Sequence, residues 1–176
     1  MRSFLLLAFA FGVCVAQSPD VKSLSGHARS LQNQVKTNII KAAERMPPEN
    51  YSFRPTPDIR SYAELIAHVT DANYLFCSAS LSEKNPSMNA EESVKKDPAR
   101  PKAALIEALT ASFTYCDKAF KALDDKNAAD PVKFFGADRV RLGVLSFETS
   151  HLFEHYGNIV TYLRLKKIVP PSSERR

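Results

Sequence analysis

The sequence predicts an all-α fold, a four-helix bundle, and three observations carry that reading. Four long segments repeat apolar residues at intervals of three and four, proline-rich or polar stretches separate them, and strand-like alternation is absent throughout. At 176 residues and 44% hydrophobic, with five Gly and eleven Pro, the chain suits one domain with a core of ordinary size.

The amino terminus, MRSFLLLAFAFGVCVAQ, has one Arg, an apolar run from Phe4 to Val15 and small residues at Val15-Ala16. This is the pattern of a cleaved secretory signal over residues 1–16. The run falls short of the ~20 residues that span a bilayer, so no membrane anchor is expected after cleavage. Phe11 and Val13 before Cys14 do not make a lipoprotein-like box. The mature chain, residues 17–176, is therefore expected to be secreted or periplasmic. Its formal charge falls from +5 to +4 with the loss of Arg2, and its basic residues are scattered without interleaved aromatics, so no nucleic-acid partner is expected.

Leu24, Ala28, Leu31, Val35, Ile39, Ala42 and Met46 make the apolar stripe of a first helix that Pro47-Pro48 ends. His27, alone near its start, reads as solvent-facing. A connector with four prolines follows, PPENYSFRPTPDIRS, with Tyr51 and Phe53 tucked against the bundle. Asp58 is the predicted N-cap of a second helix running to Leu81. Within that helix His68 shares a face with Leu65, Ala72 and Leu75, so its imidazole is either hydrogen-bonded in the core or bound to metal.

Residues 82–100 are polar and carry no apolar period, which predicts a long loop. Such a length can return the chain along the bundle and let the second and third helices run parallel. The third helix spans roughly Pro101 to Leu123, with Leu105, Leu109, Ser112, Cys116, Phe120 and Leu123 on one side. In parallel helices Cys77, about 17 residues into its helix, and Cys116, about 15 into its own, come level, which predicts a disulfide; two free buried thiols are the alternative. Cys77 lies about 180° around the helix from His68, too far to share a metal. After a second connector, DDKNAADPVKFFGAD, the last helix is predicted from about Asp138 to Lys167, stopping before Pro170-Pro171.

That last helix carries the chemistry. His151 and His155, four apart, fall on one face a turn from each other, close enough to hold one ion. Glu148 stands one turn earlier, and Tyr162, Asn158 and Phe147 fall within about 40° of the same direction. Leu152 follows the first His where zinc peptidases need Glu, so that class is not supported and a third ligand must come from elsewhere.

Taken in order, the segment AAERMPPENYSFRPTPDIRSYAELIAHV, the His near the middle of the second helix, and the HxxxH running into HYGNIVTYLRLKKIVPPS resemble the DinB-like family over nearly all of the mature chain. The resemblance implies up-down-down-up topology with a long connection between helices two and three. It also implies a divalent metal, zinc, nickel or iron, held by three histidines of the second and fourth helices. By position these are His68, His151 and His155. Glu148 and Tyr162 are then expected to orient the ligands and assist proton transfer, with a place as fourth ligand as the alternative for Glu148. The expected function is metal-dependent hydrolysis of an unknown small-molecule substrate. A metal-dependent thiol transferase or isomerase, or a non-catalytic metal-binding bundle, are the alternatives, and relatives that pair imply a homodimer.

Overall fold

The computed structural model describes residues 22–87 and 89–174. The predicted leader lies outside the described residues, as does Cys14. Helix α1 spans Leu24–Arg45, α2 Tyr62–Leu81, α3 Ala90–Lys96, α4 Lys102–Ala122 and α5 Arg141–Leu165, with a hairpin of β1, Pro131–Phe134, and β2, Ala137–Val140, before α5.

Helix α1 begins where the Ser23 hydroxyl accepts the Gly26 amide. The Asp125 carboxylate takes the next unpaired donors, the Leu24 and Ser25 amides, at 3.2 and 2.8 Å, tying this end to the loop after α4. Val35, Ile39, Ala42 and Met46 of the predicted stripe are fully buried.

Helix α2 starts three residues later than expected. Ser61, not Asp58, is the cap, because Ser61 and Glu64 form a reciprocal capping box that satisfies two amides at once. The helix is buried on most sides, from Tyr62 through Ala67 without a break, and packs on α3, α4 and α5. Asn73 Nδ2 donates to Ser112 Oγ at 3.0 Å, and Cys77 is bonded to Cys116 with the Cα atoms 5.2 Å apart. Both pairs are 39 residues apart in sequence, so α2 and α4 run in the same sense. The Tyr62 hydroxyl donates to Ala42 O and the Tyr162 hydroxyl to Arg60 O, which places the ends of α1 and α5 at the start of α2.

Two connectors hold structure that periodicity did not reveal. The stretch 82–100, expected to be a plain loop, contains α3. One buried residue, Val94, anchors it, and a single anchor in seven residues makes no period. Its cap is also remote: Asn89 makes no side-chain cap, and Asp71 of α2 instead accepts the Ala90 and Glu91 amides, each at 2.8 Å.

The second correction is the hairpin, where no strand was expected and α5 was to begin at Asp138. Its two turn residues, Phe135 and Gly136, both have positive φ, 48° and 74°, as a two-residue turn matching the strand twist requires. Val132 and Phe134 point inward in alternation, but over four residues that is too short a pattern to stand out. Helix α5 therefore starts at Arg141, where the Asp130 and Ala128 carbonyls accept the Arg141 and Leu142 amides. It ends at Leu165, two residues early. Lys167, at φ 59°, and Ile168 donate to the carbonyls of Arg164 and Leu163, closing the last turn.

Candidate metal centre

Helix α2 supplies His68, and α5 supplies His151 and His155. The ring centroids lie 5.3 Å apart for His68–His151, 4.7 Å for His68–His155 and 4.2 Å for His151–His155. One donor atom from each ring falls within 4.8 Å of the others. The Nε2 atoms of His151 and His155 are 3.0 Å apart, a separation satisfied by one shared proton or one shared cation.

His155 is 5% exposed. Burial, then the neighbouring His151, His68 and Arg60, push its pKa down to about 3, and burial also lowers His151. Neutral imidazoles are the form that ligates metal. Among the described residues His151 Nδ1 is buried without a hydrogen-bond partner, an unmet demand on the ring whichever nitrogen faces an ion.

His68 is oriented by a residue that sequence reasoning missed. Its Nδ1 lies 2.8 Å from Glu91 Oε2, while Glu91 Oε1 accepts from Arg60 Nε at 3.0 Å and Lys95 Nζ at 3.1 Å. Burial raises the Glu91 carboxyl, but its bonds to Arg60, Lys95 and His68 together outweigh burial and hold it at about 2. A carboxylate there keeps the proton on Nδ1 and leaves Nε2 as the donor atom facing the other rings. The only sequence signal was the Glu91–Lys95 spacing of four, common on exposed helices.

Tyr162, expected to assist proton transfer, spends its hydroxyl on Arg60 O at 2.5 Å. Its ring packs at 6.0 Å from Tyr62 and 6.1 Å from Phe53. The structure thus gives it a positioning contact. The Asn158 amide lies 3.5 Å from His155 Nδ1, on the side away from His151. His27 is exposed and joins nothing in the cluster.

Glu148 goes elsewhere. Fully buried, it accepts from Thr149 Oγ1 at 3.0 Å, and a carboxylate oxygen lies within 4.8 Å of both sulfurs of the Cys77–Cys116 bridge. No hydrogen bond joins it to His68, His151 or His155 among the described residues. Three residues turn a helix by about 300°, so Glu148 faces about 60° away from His151, enough to meet α4 instead of the cluster. Among the described residues its Oε1 has no partner, and burial pushes its pKa up to about 8.

That shift predicts a pH effect. The folded chain keeps this proton up to about pH 8, and the unfolded chain releases it near 4.5. The stabilising contribution of the neutral acid is therefore full below pH 4.5 and is lost as pH rises toward 8. Denaturant midpoints measured across this window are expected to fall for the native chain and to stay flatter for Glu148→Gln. Equal slopes in the two proteins would rule the titration out.

A cleft of about 620 Å³ opens beside the cluster, lined by His155, Glu91, Arg60, Lys95, Asn158 and Tyr162 among others.

Three imidazoles converging from two helices of a bundle, with a cleft alongside, form a donor set with the spacing to hold a metal ion at a helix–helix seam. Residues 33–159 match the DinB superfamily profile, and the chain belongs to that superfamily. Among solved structures, a DinB-like protein from Bacillus cereus is 15% identical, with a TM-score of 0.66 over 85% of this chain and 96% of that one. A conserved protein from Enterococcus faecalis is 14% identical, with a TM-score of 0.66 over 81% of this chain and 96% of that one. A point variant of a mycothiol-dependent maleylpyruvate isomerase is 14% identical with a TM-score of 0.62; 77% of this chain is covered, but only 60% of that one. At these identities the likeness is one of fold. By sequence, the chain matches no curated protein.

Proposed function

We propose that this chain is a metal-dependent enzyme, an up-down-down-up bundle holding a divalent zinc, nickel or iron ion through His68, His151 and His155, and that it hydrolyses a small-molecule substrate. The observation that carries the reading is the convergence of three imidazoles whose donor atoms fall within 4.8 Å, at the edge of a cleft. Three nitrogen ligands leave a coordination position free, and an ion so held supplies Lewis-acid polarisation and a nucleophile at neutral pH.

The protein's own part is orientation. Glu91 fixes the tautomer and plane of His68, Asn158 flanks His155, and burial keeps His151 and His155 unprotonated. Glu91→Gln is expected to weaken metal binding by roughly 10–100-fold without unfolding the chain. Competition against a chromophoric chelator measures this, and an unchanged affinity would detach Glu91 from the site. The functional test is metal analysis of protein purified without a His tag, followed by hydrolase substrates offered to loaded and stripped protein. Turnover is expected from the loaded form alone.

A second reading is favoured by the fold likeness to the mycothiol-dependent isomerase: the open position activates a thiol rather than water. It requires turnover to depend on added thiol, and product formed without any thiol excludes it. We also infer that the chain works outside the reducing cytoplasm, which the Cys77–Cys116 bridge supports. Intact mass of protein recovered from its native compartment is expected to place the amino terminus near Gln17. A mature chain retaining residues 1–16 would defeat this.

A further inference from the structure

The cleft beside His155 holds three cations, Arg54, Arg60 and Lys95, and three carboxylates, Asp58, Glu64 and Glu91. Formal charge therefore predicts no preference, but the hydrogen-bond inventory does. Glu64 is occupied by the Ser61 amide and Arg54. Glu91 is occupied by Arg60, Lys95 and His68. Asp58 is exposed to solvent. Arg54 has both terminal amines engaged, one on Glu64 and one on the Ile59 carbonyl.

Arg60 is different. A guanidinium carries five N–H donors in a planar fork. Among the described residues only its Nε is engaged, on Glu91, and neither terminal amine has a partner. The residue is also held at two points, at Nε by Glu91 and at its carbonyl by the Tyr162 hydroxyl. A fork fixed in this way, half-exposed in a cleft, loses little freedom when it meets a planar or tetrahedral oxyanion. The same Glu91 that grips Arg60 grips His68, so the free fork and the histidine cluster share one carboxylate between them.

We propose that Arg60 is the anion-binding residue of this cleft and that the substrate carries a carboxylate or phosphate beside its reacting group. The inference rests on the reading that His68, His151 and His155 form the reaction centre, but anion binding itself does not require the ion. Two-point docking, one end on the fork and the other toward the histidines, would set the register of the reacting bond.

The test is an NMR titration of the full chain, both metal-free and zinc-loaded, with benzoate, phenyl phosphate and neutral benzamide as probes. Zinc content and circular dichroism are recorded for every variant. Either anion is expected to bind at least ten-fold more tightly than benzamide in the metal-free protein, with Arg60 and Lys95 resonances shifting. Arg60→Gln is expected to erase that preference, and Arg60→Lys, which keeps charge but loses the fork, to retain part of it. The relative affinities of benzoate and phenyl phosphate decide which oxyanion the fork prefers. Benzamide binding as tightly as the anions, or Arg60→Gln leaving the preference intact, overturns the proposal. So does an anion preference that appears only with zinc and ignores Arg60, since the ion would then be the anion's partner. If the chain binds no zinc yet the Arg60-dependent preference stands, the metal reading fails and the anion site survives.

Discussion

Protein carrying His155→Ala is expected to purify with its helical content intact and without stoichiometric divalent metal. His155 is the deepest of the three rings, so its loss removes the best-shielded nitrogen and the neighbour 3.0 Å from His151. Two imidazoles on different helices would remain, His68 and His151, with no third donor among the described residues within the same radius. The loss should exceed the roughly 10–100-fold expected when only an orienting partner such as Glu91 is removed. Elemental analysis beside a thermal melt reads both quantities. One metal per chain, retained in a folded variant, would remove the site as described.

Replacing both Cys77 and Cys116 by Ala is expected to cost about 4 kcal/mol, the loop-closure entropy for a bridge spanning 39 residues. In a domain of this size that lowers Tm by roughly 10 °C. The bridge staples two helices that run in the same sense and so share no short turn, and their packing then rests on contacts such as Asn73 to Ser112. Differential scanning calorimetry with and without reductant provides the check. A melt that ignores both the mutations and the reductant would mean the bridge adds nothing to what packing already secures.

What could be read from the sequence followed from how much of each element is buried. Helices α1, α2, α4 and α5 present long apolar faces, so period alone located them, and the proline pair at 47–48 marked where α1 stops. Cys77 and Cys116 could be paired because the rise per residue is fixed, which turns a position along a helix into a height. The failures share a cause. Helix α3 is held by Val94 and by the Asp71 carboxylate of another helix, and the hairpin by two inward residues, so neither leaves a repeat in its own segment. Glu91 was hidden for the same reason. Its role depends on where α3 docks, which is a tertiary fact. Glu148 was misplaced by treating one helical turn as one direction, when a step of three residues is enough to send a side chain to the disulfide instead of the histidines.

The mooring of α3 has a consequence for how this segment can change. Asp71 receives both leading amides of α3 as well as the Ser87 hydroxyl, so α2 itself decides where Glu91 stands. The span between the end of α2 and Ser87 then acts as slack rope, not as a ruler. Extra residues spliced beside Lys84 would lengthen the exposed arc while the berth on Asp71 stays put, which leaves this stretch free to drift in length among relatives and open to tags or sensors in engineered chains.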